Sequence, residues 1–202
     1  MQKKKKKVLI IVAHPDDETI WMGGTIFRNK NNWGTTIISL CRRDDTDRAP
    51  KFKKVCEFLK AKYFISDLED EKLTPINLNE IIKRVRVFAK ENYDYIFTHG
   101  ESGEYGHIRH IETNKAVKQM IDDKTLKCKK VFFFAYKKKI TKGTDTGFDS
   151  HANANANKFI NLNNLEFLTK KYLIKNIYGF QEGGFEERNS RNKEAFKEKQ
   201  IK

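Results

Sequence analysis

The sequence predicts an α/β domain: a mostly parallel sheet with helices on both faces. Three observations carry that expectation. Segments of strand length alternate with segments of helical period. The first strand reads as a continuous apolar run, the mark of a strand buried on both faces. The chemically loaded residues fall immediately after strands, where open α/β sheets bind their ligands. The chain has 202 residues, enough for one domain with a substantial core. No internal repeat or linker divides it, so residues 1–202 are expected to form a single domain.

The elements follow in order. A basic tail over residues 1–6 leads into 7–13 (KVLIIVA), the first strand. Residues 16–31 make a helix, with Ile20, Gly24, Ile26 and Phe27 at roughly helical spacing. Residues 35–41 (TTIISLC) are β-branched and form the second strand. Residues 48–62 place Phe52, Val55, Cys56 and Leu59 at i, i+3, i+4 and i+7, a helical stripe, and 63–66 form a short third strand. Residues 77–92 carry Ile81, Ile82, Val85, Val87 and Phe88 and read as a helix. The next strand, 93–99 (YDYIFTH), ends on a glycine turn at Gly100. Residues 108–122 form another helix, with Ala116, Val117, Met120 and Ile121 inward, and 131–136 (VFFFAY) is the most apolar strand. Residues 137–157 are polar and end in alternating Ala and Asn, so they bury little and read as a mobile loop. Residues 165–177 are helical, and 186–202 form a charged segment expected to fray.

Composition narrows the function. The chain carries 41 Lys and Arg against 27 Asp and Glu, a formal charge of +14. Such a charge attracts anions, but the lysines are spread along the chain, beside abundant Asn and Ile, as compositional bias would give. Nucleic-acid grooves interleave Arg with aromatic residues, and no stretch does so here. No specific nucleic-acid binding is expected; a basic polyanion-binding protein without catalysis stays as the alternative from a different class. No apolar run approaches the roughly 20 residues of a membrane span. The short apolar run at the N-terminus meets His14, Asp16 and Asp17 at once, unlike a signal peptide. Three cysteines, Cys41, Cys56 and Cys128, are odd in number and lack C-x-x-C spacing. That argues against a disulfide framework or a thiolate zinc site, and for a reducing cytoplasm.

Two clusters carry chemistry. His14-Pro15-Asp16-Asp17-Glu18 puts four ionisable groups in five positions directly after a buried strand. That density needs compensation, which a divalent cation supplies. His14 and Asp17 can both turn towards one point, leaving Asp16 near the metal as a proton acceptor. An N-cap explains one of the two aspartates but not the whole cluster. The second cluster, Gly103-Glu104-Tyr105-Gly106-His107-Ile108-Arg109-His110, follows the fourth strand and sets two histidines three apart on a helix start. His99 precedes it as either an orienting partner or a strand-end residue. Together the clusters offer His, Asp and His, and three protein ligands with an open position form the layout of a catalytic zinc site. Iron or another divalent ion fits such donors too.

The run AHPDDE (13–18) followed by Gly23-Gly24, with 105–110 later, resembles the LmbE-like or PIG-L family of zinc-dependent N-deacetylases. The likeness takes in Thr98-His99, Arg48 with Phe52 and Leu59, and Tyr178-Gly179-Phe180-Gln181. It implies a Rossmann-like fold and one Zn2+ per chain, held by His14, Asp17 and His110. It implies Asp16 as general base, His107 as the group that stabilises or protonates the collapsing tetrahedral intermediate, Tyr105 turned to the oxyanion, and Arg48 on substrate hydroxyl or phosphate groups. The implied substrate is a small N-acetylated sugar or glycoconjugate; the same amidase chemistry on a non-sugar amide is the alternative. One departure matters. Ile108-Arg109 stands where many members have Pro-Asp, and a cation beside His107 would lower its pKa.

Overall fold

The first apolar run becomes β1 (Lys6–Val12), whose last five side chains are fully buried in the middle of a seven-stranded sheet. The computed structural model describes residues 4–90 and 92–201. The start of the 1–6 tail, position 91 of the helix expected over 77–92, and the last position of 186–202 lie outside the described residues. The predicted alternation follows as α1 (Asp17–Asn29), β2 (Trp33–Cys41), α2 (Arg48–Phe58), β3 (Lys62–Leu68), α3 (Leu78–Phe88) and β4 (Tyr93–Thr98). A short turn, α4 (Gly103–Gly106), precedes α5 (Ile108–Asp122) and β5 (Cys128–Phe134). The chain then makes β6 (Tyr136–Ile140), β7 (Phe148–Ala152), β8 (Lys158–Asn161), α6 (Asn164–Tyr172) with a π-helical turn at Leu173–Ile177, α7 (Phe185–Asn189) and β9 (Lys193–Gln200).

The sheet order is β3-β2-β1-β4-β5-β9-β8, parallel from β3 to β5 and antiparallel at β9 and β8. Alternate residues of β1 feed two cores. Val8, Ile10 and Val12 pack with α1, α2 and the π-helical turn. Leu9 and Ile11 pack with α3 and α5 on the opposite face. This is the expected α/β arrangement. Among the described residues no helix is long and apolar enough to cross a membrane. Cys41 and Cys56 are buried free thiols, as their apolar positions predict.

Two expectations are corrected. Residues 137–157, read as a mobile loop, contain the β6–β7 hairpin, paired from Tyr136↔Ala152 to Ile140↔Phe148. Its ladder is made by backbone groups and needs few apolar side chains, so a polar composition hid it. Residues 186–202 hold β9, which lies between β5 and β8 with Ala195 and Phe196 fully buried. Its buried Glu194 has a structural task. Met22 leaves helical geometry inside α1 (φ −149°, ψ 17°), and just beyond this kink the Gly24 and Thr25 amides donate to the Glu194 carboxylate at 3.0 and 2.9 Å. Lys170 Nζ completes the group at 2.8 Å. Gly24 also meets Leu162 so closely that a Cβ would lie 2.3 Å from its Cδ1, a close packing of α1 against the segment that leads into α6.

After β1 the chain builds β2 and β3 on one side, then returns to build β4 on the other. The crevice between β1 and β4, at their C-terminal ends, is therefore the topological switch point where such sheets take ligands. The 14–18 loop leaves β1 there, and His99 to His110 leave β4 there.

Candidate active site

The loop after β1 turns sharply. Asp16 adopts φ 125°, an unusual backbone for a residue with a side chain, and Asp17 opens α1. Asp16 holds the N-cap position, yet its side chain caps nothing, so the simple capping explanation fails. Asp17 instead points inward. Its Oδ1 accepts the Trp21 indole N–H at 2.9 Å, and its Oδ2 accepts the His14 amide at 2.9 Å. Oδ2 also lies 3.2 Å from His14 Nδ1 and 3.3 Å from His110 Nε2, and those two nitrogens are 3.2 Å apart. A tetrahedral ion about 2.0–2.1 Å from each of three ligands would hold them roughly 3.3 Å from one another. The triangle fits such an ion in both its spacing and its His₂Asp chemistry.

The neighbouring nitrogens are otherwise engaged. His107 lies within ligating reach of His14 and His110, but its Nδ1 accepts the Arg109 amide at 3.3 Å. That leaves Nε2 to carry the ring proton. His99 groups with Asp17 and His110, but its Nε2 accepts the Ala13 amide at 2.9 Å. The far nitrogens of the two candidate histidine ligands are held by carboxylates, as metal-binding histidines usually are. Asp70 faces His14 Nε2 at 3.0 Å, and Glu104 faces His110 Nδ1 at 2.6 Å. Glu104 also takes His99 Nδ1 at 2.8 Å and the Gly100 amide at 2.7 Å. His99 thus ties Glu104 to the loop after β1 through its two ring nitrogens and is more than a plain strand-end residue. Gly100 has no alternative, since a Cβ there would lie 2.1 Å from the Phe134 carbonyl oxygen.

Electrostatics separates the two adjacent aspartates. Burial would raise Asp17, but the charges of His110 and His99, with hydrogen bonds from His110 and His14, hold its pKa well below the usual carboxylate range. Burial and the Asp17 charge push Asp16 well above that range, against the pull of Arg48 and His14. One is thus suited to hold a cation and the other to receive a proton. His107 is pushed down to about 3 by burial and by the neighbouring His110 and His14. The lowering expected from the sequence is present, but its cause differs. Arg109 is turned away, bonded to Glu69, Thr74 and Glu112.

A cavity of about 230 Å³ opens over this centre, lined by His14, Asp16, Asp17, Tyr105, His107 and Arg48 among others. Six of the seven residues singled out in the sequence therefore share one cavity, and His110 lies buried beneath it, its ring 5.2 Å from that of His14. Arg48 pairs with the Asp16 carboxylate and stacks 4.5 Å from the centre of the Phe180 ring. Arg42 also lines the cavity and binds Asp70 at 2.8 Å. Tyr105 packs its ring against Phe185 and Phe148 at 5.0 and 5.7 Å, and burial raises its pKa. Sequence reasoning gave Glu104 no role within its cluster, and it missed Asp70 and the hydrogen-bonding part of Trp21. Asp70 had a usable signal, since it follows the third strand as His14 follows the first.

The uncharacterised protein L374 of Acanthamoeba polyphaga mimivirus is 30% identical over 127 residues. That match covers 55% of this chain and 56% of the viral protein, so the chain spans about half the length of the relative. An N,N′-diacetylchitobiose deacetylase from Pyrococcus horikoshii, solved with its inhibitor MPG, superposes with a TM-score of 0.67 at 18% identity. The match covers 96% of this chain and 84% of the deacetylase. The conserved protein TT1542 from Thermus thermophilus gives 0.61 at 14% identity, over 86% and 78%. At these identities the two structures speak for the fold. The family model described as GlcNAc-PI de-N-acetylase matches residues 9–121, more than half of the chain and both site clusters, and the chain belongs to this PIG-L (LmbE-like) family.

Proposed function

We propose that this chain is a zinc-dependent hydrolase that removes an N-acetyl group from an amino sugar. The observation that carries the reading is the triangle of His14 Nδ1, Asp17 Oδ2 and His110 Nε2, set beneath a cavity that also receives Asp16. Membership of a de-N-acetylase family supports it. A divalent cation held by these three residues would supply Lewis-acid polarisation of the amide carbonyl and acidify water in the site.

The chain's own residues supply the rest. Asp16, with its pKa raised by burial, accepts the proton of the attacking water. Arg48 holds the Asp16 carboxylate in place. His107 presents a neutral ring whose Nε2–H donates to the developing oxyanion. A ring with so low a pKa is unprotonated near neutral pH and has no imidazolium proton to give, so Asp16 returns its proton to the leaving amine. The products are acetate and a free amino sugar. Tyr105 walls the cavity beside His107, their ring centres 5.7 Å apart, and Arg42 and Arg48 offer donors to sugar hydroxyl groups.

The test is zinc analysis together with acetate release from N,N′-diacetylchitobiose and N-acetylglucosamine. Wild type should hold about one zinc per chain, the loading of a single three-ligand centre. His110→Ala should lose the metal. Asp16→Ala should keep it while kcat falls by about 10²–10⁴, the usual worth of a general base. Absence of any divalent metal after reconstitution would refute the reading.

A further inference from the structure

Two arms reach Asp16 from the C-terminal part of the chain, beyond the residues matched by the family model. The first runs through Glu18, which is fully buried. Its Oε2 accepts the Asp16 amide at 3.0 Å, and its Oε1 accepts the Tyr178 hydroxyl at 2.8 Å. Tyr178 is itself only 2% exposed, so this contact has no competition from solvent. The second arm runs through Arg48, which grips the Asp16 carboxylate and lies over the Phe180 ring. Between the two aromatic residues, Gly179 takes φ 78°, a conformation that residues with a side chain rarely adopt. The tripeptide Tyr178-Gly179-Phe180 thus touches the supports of both the backbone and the side chain of one aspartate. That aspartate sits at φ 125°, a conformation that persists only where surrounding structure over-determines it.

We propose that Tyr178 and Phe180 are positioning residues for Asp16, acting through Glu18 and Arg48 to fix its amide and its carboxylate. The inference rests on the reading of Asp16 as general base. It predicts that damage at Tyr178 or Phe180 appears in turnover rather than in metal or substrate binding, because neither residue is among those lining the cavity. A purely structural role would instead weaken the whole domain.

The experiment uses the full chain loaded with zinc, with N,N′-diacetylchitobiose as the probe. Tyr178→Phe should lower kcat about tenfold, the scale of one hydrogen bond to a charged group, and Phe180→Leu about fivefold, the scale of a partly exposed cation–π contact. KM and zinc stoichiometry should stay within twofold of wild type (about the noise of such comparisons). In an Asp16→Asn background both substitutions should become silent, since residues acting through a shared partner are not additive. Equal losses in the two backgrounds would assign Tyr178 and Phe180 to general stability and overturn the proposal. An Asp16→Asn enzyme that keeps zinc and full kcat would instead sink the base assignment. A second readout needs no turnover: hydrogen exchange of the Asp16 amide in the zinc-loaded protein. Tyr178→Phe should speed it by about tenfold while Ile10 and Ile11 in β1 stay protected, the mark of a local opening. An Asp16 amide as protected as in wild type overturns the positioning role, whichever amide the enzyme hydrolyses.

Discussion

Replacing Glu104 by Gln would loosen His110 without removing it. The carboxylate accepts His110 Nδ1 at 2.6 Å, His99 Nδ1 at 2.8 Å and the Gly100 amide at 2.7 Å, all in a fully buried setting. Glutamine keeps one acceptor oxygen, so its amide nitrogen must face either the two imidazole N–H groups that share Oε2 or the Gly100 N–H on Oε1. Hydrogen bonds to charged groups contribute about 1.5–3 kcal/mol each. The contact to His99 braces the fold, whereas the contact to His110 orients a proposed ligand. Removing such an orienting partner costs roughly 10–100-fold in metal affinity, or about 1.4–2.8 kcal/mol. Competition against a chromophoric chelator should therefore show the zinc Kd of Glu104→Gln raised by about 10–100-fold. The zinc-free variant should also melt about 3–12 °C lower, given roughly 2–4 °C per kcal/mol for a chain of this size. A zinc Kd within twofold of wild type, at whatever melting temperature, would refute the orienting role (twofold being about 0.4 kcal/mol).

Trp21→Phe removes the only side-chain hydrogen bond to Asp17 Oδ1 among the described residues. It should weaken zinc binding by about tenfold, read by isothermal titration; an unchanged Kd would make the indole a packing residue alone. Glu194→Ala leaves Lys170 buried without its partner and strips the Gly24 and Thr25 amides of theirs, at about 3–5 kcal/mol. Lys170→Met leaves Glu194 with the Gly24 and Thr25 amides and the Thr25 hydroxyl as donors, so urea unfolding should find it clearly the milder change; equal losses would contradict this. Glu18 is pushed up to about 7 from near 4.5 by burial, partly offset by hydrogen bonds from Thr19, Tyr178 and the Asp16 amide. The folded protein therefore binds this proton more tightly than the unfolded chain, so the contribution is full below about pH 4.5 and lost as pH rises through about 7. Zinc-free Glu18→Gln should match wild type near pH 5 and exceed it by up to about 3 kcal/mol at pH 8. A gap that does not widen across that range would rule the linkage out.

The parts of the molecule legible in the sequence are those where a local rule is broken conspicuously or kept conspicuously. The run into Val12 is apolar without interruption, so a buried strand follows. His14 to Glu18 break that run with charge, so a site follows. The hairpin and β9 were not legible because a backbone ladder asks little of side chains. In β9 the buried Glu194 also interrupts the apolar pattern with a carboxylate that serves a helix 169 residues away in sequence. Arg109 shows a further limit. Adjacency in sequence suggested a cation beside His107, but residues two apart on a helix do not face each other, and the guanidinium went to Glu69, Thr74 and Glu112. His107 is depressed all the same, by burial and by two histidines that only the fold brings near.

Backbone conformation marks where sequence reasoning stops. Six non-glycine residues among those described have positive φ: Asp16, Arg42, Lys60, Leu73, Glu104 and Lys124. Three of them, Asp16, Arg42 and Glu104, belong to the centre. Such conformations cost of order 1–3 kcal/mol and persist only when tertiary contacts hold them. The contacts are present in each case: Glu18 on the Asp16 amide, Asp70 on the Arg42 guanidinium, and two imidazoles with the Gly100 amide on Glu104. Each holding contact joins segments that no short motif spans, or depends on a turn that no propensity favours. A sequence can therefore announce that candidate ligands lie after β1 and β4, since His and Asp are visible as residue types. It cannot announce which carboxylate will steady which ring, because that depends on strained turns stabilised by the completed fold. In this protein the groups proposed to make the chemistry were readable, and the groups proposed to aim them were not.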